Sequence, residues 1–282
     1  MVKKNIILII GGNKNNNFFK NSIDIYLKRN DIYKIILVTW NTEDIEYVKD
    51  NSSIKIILMP PKVFESSIEG FGSIKYQKYL YDIGINYIND NYETNEIFIL
   101  KTRMDVIFSN EQLNYIFSQD YKVETIKSEL FKYKIWVAWA HITKPFYIDD
   151  AFFYSHISVM KNLSPYTGEL FIQQGHQHIR WFLLLAREYN LYSEPNSYND
   201  YFYMNSNFIL NEITKNILIK YRACIKNYFI INTLKEGIIF RDWNNINFYK
   251  KPSNSILNII ENEANRNLKL VYNNEDFFNI DL

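Results

Sequence analysis

The stretch EIFILKTRMDVIF, Glu96 to Phe108, decides how the chain is read. Four apolar residues, Ile97 to Leu100, run into Lys101, Arg103 and Asp105 in alternation before the sequence turns apolar again at Val106. A continuous apolar run marks a strand covered on both faces, and successive side chains of a strand point to opposite faces. Positions 101, 103 and 105 are therefore expected on one face at the carboxyl end of the strand, two cations and one carboxylate in a small volume. Such a trio suits a phosphate-bearing ligand, with or without a metal ion. It is equally what an Arg/Asp ion pair closing a strand would produce, so the neighbouring segments have to decide.

Upstream, Ile6 to Ile10 is an apolar run stopped by Gly11 and Gly12, and Phe18 to Arg29 sets Phe19, Ile23, Tyr26 and Leu27 on one helical face. Ile32 to Val38 reads as a second strand ending in Thr39-Trp40-Asn41, Thr42 to Asp50 as a short helix capped by Thr42, and Ile54 to Met59 as a third strand closed by Pro60 and Pro61. Ser73 to Asn89 is helical in pattern, with Ile74, Gln77, Tyr81, Gly84, Ile85 and Ile88 near one face. Strands alternating with helices predict an α/β fold with a mostly parallel, Rossmann-type central sheet flanked by helices. In such sheets ligands bind beyond the carboxyl ends of the strands. Three of those ends carry candidates: Gly11 and Gly12, Thr39 with Trp40, and Lys101 to Asp105.

Each candidate has a plain structural alternative. The glycine pair lets backbone amides approach a ligand or simply makes a turn, and it lacks both G-x-G-x-x-G and a Walker lysine. Thr39 and Trp40 offer a hydroxyl and a stacking surface for a base or sugar, or a Trp capping the sheet edge.

Downstream, Asn110 to Phe117 reads as a helix capped by Asn110, and Ile135 to Ala140 as a strand. The segment KPFYIDDAFF, Lys144 to Phe153, sets Asp149 and Asp150 among aromatic residues. Partly desolvated adjacent acids suit a base, a metal ligand or a hydroxyl-binding group; they also suit the cap of a following helix. Phe152 to Leu163 is expected to pass from strand into helix, and Ile179 to Tyr189 to be an apolar helix behind His176 and His178. Beyond Leu191 the signals are short: Phe208 to Tyr221 fits strand or helix, Tyr228 to Phe240 two short strands, Ser255 to Leu268 a helix. The expected division is a catalytic domain over 1–190 and an α+β extension over 191–282 packed on the same domain.

Acids and bases nearly balance, with a formal net charge of +1, which disfavours a nucleic-acid partner. A single cysteine, Cys224, excludes an intramolecular disulfide framework and fits a reducing compartment; it is expected to be a buried small hydrophobe. The apolar run near the start is too short for a signal peptide, and no stretch approaches the ~20 apolar residues of a membrane helix. A cytoplasmic location is expected, with peripheral contact to the inner membrane left open and no oligomeric state specified.

Taken in order, these segments resemble the lipopolysaccharide-synthesis glycosyltransferases of the WavE type, and more loosely other GT-A-fold enzymes of bacterial surface glycans, over roughly residues 4 to 180. The likeness is carried by ILIIGG (Ile7 to Gly12), VTW (Val38 to Trp40), a helix bearing Gln77 and ending in Gly84-Ile85, FILKTRMD (Phe98 to Asp105) and IDDAFF (Ile148 to Phe153). The resemblance implies a nucleotide-sugar donor across the strand ends, near Gly11, Gly12, Thr39, Trp40, Gln77, Lys101, Arg103 and Asp105. It implies a glycan or glycolipid acceptor of lipopolysaccharide or capsule type, and Asp149 or Asp150 as catalytic base. Asp105 stands where a metal-binding DxD aspartate would, a ligand for Mn²⁺ or Mg²⁺, while Lys101 or Arg103 would supply the same charge stabilisation. Two departures are visible: Arg103 occupies the place of a first acid, and Gly175-His176-Gln177 stands where the family tends to have Pro-Glu-Gln. The rival expectations are a nucleotidyltransferase on a similar fold and a non-catalytic glycan or nucleotide-sugar-binding protein of a polysaccharide assembly system.

Overall fold

A computed structural model describes residues 3–11, 16–43, 45–63, 71–126, 128–141, 146, 148–165, 180–189, 212–232, 238–240 and 270–271. In chain order they form β1 (Lys4–Ile10), α1 (Asn16–Leu27), β2 (Ile32–Trp40), β3 (Ile54–Met59), α2 (Phe71–Asn91), β4 (Ile97–Arg103), β5 (Val106–Phe108) and α3 (Asn110–Ser118). There follow β6 (Ile135–Val137), β7 (Ala140–His141), β8 (Phe153–His156), α4 (Ile157–Met160), α5 (Leu183–Glu188), α6 (Glu212–Tyr228), β9 (Phe229–Ile231), β10 (Ile238–Phe240) and β11 (Leu270–Val271).

The described central sheet has seven strands in the order β3-β2-β1-β4-β8-β6-β9. Strands β1 to β4 are mutually parallel, β8 enters antiparallel between β4 and β6, and β9 runs parallel to β6. The fold is the mostly parallel α/β sheet that alternating strands and helices predict. Alternation along β1 separates two cores: Ile6, Leu8 and Ile10 pack with Ile74, Tyr81 and Ile85 of α2, while Ile7 and Ile9 pack with Phe19 and Ile23 of α1 and Leu113 and Ile116 of α3. Helix α2 lies so close to the sheet that a Cβ at Gly84 would fall 2.5 Å from Leu8 Cδ1 and 3.2 Å from Val38 Cγ2. The carboxy-terminal segment joins this sheet through β9, and Cys224 in α6 is buried in its core.

Several local expectations are corrected. The strand expected to carry Asp105 at its carboxyl end stops earlier: β4 ends at Arg103, Met104 and Asp105 turn, and β5 pairs with β10. The break falls where the neighbouring ladder stops, since Arg103 is paired with Ile10, the last residue of β1. Among the described residues of 42–50, helical structure is confined to one 3-10 turn, Glu46–Val48, without a side-chain cap. Helix α3 is capped by Ser109 rather than Asn110, the Gln112 amide donating to Ser109 Oγ at 3.1 Å. The run 135–140 is split into β6 and β7 by a bend at Ala138. The helix expected over Ser255 to Leu268 lies outside the described residues, as do His176 and His178.

Candidate functional site

The register of the parallel ladder aligns the predicted strand ends. Val38 of β2 pairs with Ile10 of β1, Ile10 pairs with Arg103 of β4, and Trp40 pairs with Met59 of β3. Gly11, Thr39, Trp40 and Arg103 therefore lie along one edge of the sheet, at its carboxyl end. Gly11 has φ 99, a conformation that L side chains rarely adopt, although a Cβ there would meet nothing within 4 Å. Its glycine is required by backbone conformation, not by crowding. Gly12 lies outside the described residues.

Thr39 is buried, and its hydroxyl donates to the Gly11 carbonyl at 2.8 Å, tying the ends of β1 and β2 together. Trp40 is half-buried; its ring stacks on Tyr79 at 6.1 Å between centroids and meets the edge of Tyr76 at 5.9 Å. These aromatics come from the first turns of α2, which begins above the same edge. Gln77 belongs to the inward stripe of α2, one turn before Tyr81 and two before Gly84. Its Oε1 is buried with no hydrogen-bond partner among the described residues.

The trio of charged residues divides. Arg103 and Asp105 form a two-point ion pair, Nε to Oδ1 at 2.9 Å and Nη2 to Oδ2 at 2.5 Å, with the Arg103 side chain 28% exposed and Asp105 7%. Lys101 is fully buried. Its ammonium donates to the backbone carbonyls of Asp150 and, at 2.9 Å, of Ala151, and lies 4.7 Å from the Trp181 ring centre and 5.2 Å from that of Phe153. Burial pushes its pKa down to about 7, against an upward pull from Asp150. Asp149, Asp105 and Arg103 also act on this ammonium, so all five charged groups share one neighbourhood.

The acidic segment runs directly into β8. The Asp149 amide donates to the Trp139 carbonyl at 3.2 Å, and Asp149 Oδ1 accepts from the Ala151 amide at 2.9 Å. Asp149 thus performs the capping role its position allowed, closing a tight turn at 149–151 instead of a helix. Both acids are buried, Asp150 at 9% exposure.

Both oxygens of Asp105 face the Arg103 guanidinium, and among the described residues no group of three His, Cys, Asp or Glu side chains is placed to hold an ion. His156 is structural: its Nδ1 accepts from the Ser158 amide at 3.2 Å and its ring stacks on Tyr133.

Trp181 is the residue that sequence reasoning missed. It stands edge-on to Tyr81 at 4.9 Å, covers Lys101, and has an Nε1 without a hydrogen-bond partner among the described residues. Within IRWFLLLAREY it is one apolar residue among many, and nothing in the spacing marks it. Among the described residues, no helix is long and apolar enough to cross a membrane.

No family model matches the sequence, and no curated protein matches it. Solved structures do resemble it in part. An active-site mutant of LgtC is 8% identical with a TM-score of 0.36, covering 68% of this chain and 65% of that one. The galactosyltransferase LgtC in complex with donor and acceptor sugar analogues is 8% identical with a TM-score of 0.34, covering 68% and 66%. The 2-C-methyl-D-erythritol 4-phosphate cytidylyltransferase of Francisella tularensis is 12% identical with a TM-score of 0.33, covering 56% and 74%. The chain thus spans just under two thirds of the length of the LgtC structures.

Proposed function

We propose that the protein is a glycosyltransferase that moves a sugar from a nucleotide-sugar donor to a surface-glycan acceptor of lipopolysaccharide or capsule type, as its resemblance to the WavE type implies. One observation carries the reading: the ladder register gathers Gly11, Thr39, Trp40 and the Arg103–Asp105 pair at the carboxyl edge of the parallel strands, where open α/β sheets bind ligands. The inward-facing Gln77, with its unsatisfied buried oxygen, supports it. In this reading Trp40 and the Gly11 turn receive the nucleoside end of the donor. Arg103 meets the diphosphate, and Asp105 holds the guanidinium plane in place through its two-point contact. Asp150 takes the proton of the acceptor hydroxyl as that oxygen bonds to the anomeric carbon. The bond from that carbon to the diphosphate oxygen breaks, and the nucleoside diphosphate leaves with its electron pair. Asp149 shapes the turn that carries Asp150.

The test has two stages. A thermal-shift panel of UDP-, GDP-, CMP- and dTDP-sugars, with and without Mn²⁺, is expected to find one donor that raises the melting temperature, because a ligand of the folded state stabilises it by mass action. With that donor and a glycan acceptor pool, nucleoside diphosphate (or CMP, where the donor is a CMP-sugar) is expected to appear, while Arg103→Met loses the shift and Asp150→Asn keeps it without turnover. Absence of any shift across the panel would refute a donor site. Release of pyrophosphate from a sugar phosphate and a nucleoside triphosphate would show a nucleotidyltransferase instead.

A further inference from the structure

Lys101 is enclosed by parts of the chain far from it in sequence. Strand β8 pairs with β4 as far as Lys101 opposite Phe153, and the residues just before it fold over the lysine. The ammonium meets the carbonyls of Asp150 and Ala151 and the faces of Trp181 and Phe153. Three separate pieces of chain, β4, the 149–153 segment and the segment bearing Trp181, therefore converge on one buried cation. A carbonyl buried away from water needs a donor, and a cation between two carbonyls and two aromatic faces has each of its partners fixed in direction. The turn at 149–151 is also tied by the Asp149 amide to the Trp139 carbonyl and by the Asp149 carboxylate to the Ala151 amide.

We propose that Lys101 is a positioning residue, whose ammonium clamps the 149–151 turn to the end of β4 and so holds Asp150 at the height of the Arg103–Asp105 pair. This rests on the glycosyl-transfer reading for its functional meaning, and on geometry alone for the clamp. Lys101 then acts on the acceptor side of the reaction through the turn, not on the donor phosphates.

The experiment uses Lys101→Met, which keeps the apolar stem, with Lys101→Gln as a second variant that keeps a donor without the charge. Hydrogen exchange of the native proteins reads the clamp directly. The amides of Asp149 and Ala151 are expected to exchange roughly tenfold faster in Lys101→Met, the scale of one lost hydrogen bond, with Ile99 and Leu100 of β4 unchanged and Lys101→Gln in between. Turnover reads the consequence: kcat falls about 10²-fold, the cost of a displaced reacting group, with the donor KM unchanged. Unaltered exchange at 149 and 151 would overturn the clamp. Faster exchange with full kcat would overturn its functional role, and a donor KM that rises in step with the loss of kcat would put Lys101 on the donor instead. If the unmodified protein transfers no sugar from any donor, the glycosyl-transfer reading fails by itself, and the exchange measurement still decides whether Lys101 holds the turn.

Discussion

Replacing Lys101 by methionine should change how stability depends on pH, in a direction that the burial of the lysine sets. The unfolded chain holds this amine at its ordinary value of 10.5, while the folded protein holds it at about 7, chiefly through desolvation. Below about 7 both states are protonated and the folded state carries the whole cost of a buried ammonium. Between about 7 and 10.5 the unfolded chain binds a proton that the folded one does not, so the wild type gains stability as pH rises. At about 1.4 kcal/mol per pH unit, the gain between pH 6.5 and 9 is on the order of 2–3 kcal/mol.

Methionine does not titrate, and every other group is common to the two proteins, so the difference between them isolates this lysine. Urea unfolding of both, at half-unit steps across that range, is the assay. Lys101→Met is expected to compare best with the wild type at pH 6.5, where the wild type carries the cost of its buried charge, although the Asp150 and Ala151 carbonyls lose their donor in the variant. It should fall behind by a further 2–3 kcal/mol, roughly, at pH 9. A difference that stays flat, or that narrows as pH rises, would refute the buried, desolvated ammonium.

Three further outcomes follow from the packing. Gly84→Ala places a methyl 2.5 Å from Leu8 Cδ1, inside a core where Leu8 is fully buried; the overpacking should outweigh the helix propensity gained and cost about 1–2 kcal/mol, and a variant more stable to urea would contradict the α2 contact. Gly11→Ala has space for its methyl but not the backbone conformation, so a loss of about 1–2 kcal/mol is expected with no change in the m-value, visible in the same unfolding curves. Tyr154→Phe removes the hydroxyl that donates to Asn5 Oδ1 at 2.5 Å in the core, and the stranded amide oxygen should cost on the order of 1–3 kcal/mol by calorimetry.

The first half of the fold was readable because its signals are local. Each of β1, β2 and β4 is an apolar run buried on both faces, and α2 shows its inward stripe at helical spacing, down to the small residue at Gly84 that close approach demands. The second half depends on pairings that no window of sequence contains. Strand β9 has three residues and belongs to the sheet only because β6 lies beside it; β5 is separated from β4 because its partner, β10, comes from the far end of the chain. Residues 42–50 departed from expectation for a different reason. With Asn41 bonded back to Met59 and Ile45 and Val48 buried against the α1 core, tertiary contacts take the segment that local propensity would have made helical.

The charged strand end shows the same limit at the scale of one site. Alternation puts Lys101 and Arg103 on the same face of β4, and the ladder bears that out, since they pair with Leu8 and Ile10, both in the α2 core. What separates them is the length of the neighbour on the other side. Strand β8 stops pairing at Lys101, so this lysine is roofed by the approach to β8 and sealed under aromatic rings, while Arg103, two residues on, lies past the end of β8 and keeps partial exposure. Asp105, in the turn, reaches back to Arg103, which lies on the edge shared by Gly11 and Thr39. A pattern of two cations and an acid is therefore divided into an inward clamp and an outward pair by a segment lying 50 residues downstream. The division makes the chemistry separable by mutation. If the clamp and the pair serve one site, Lys101→Met and Arg103→Met should lose transfer for different reasons, the first with donor bound and the second without it.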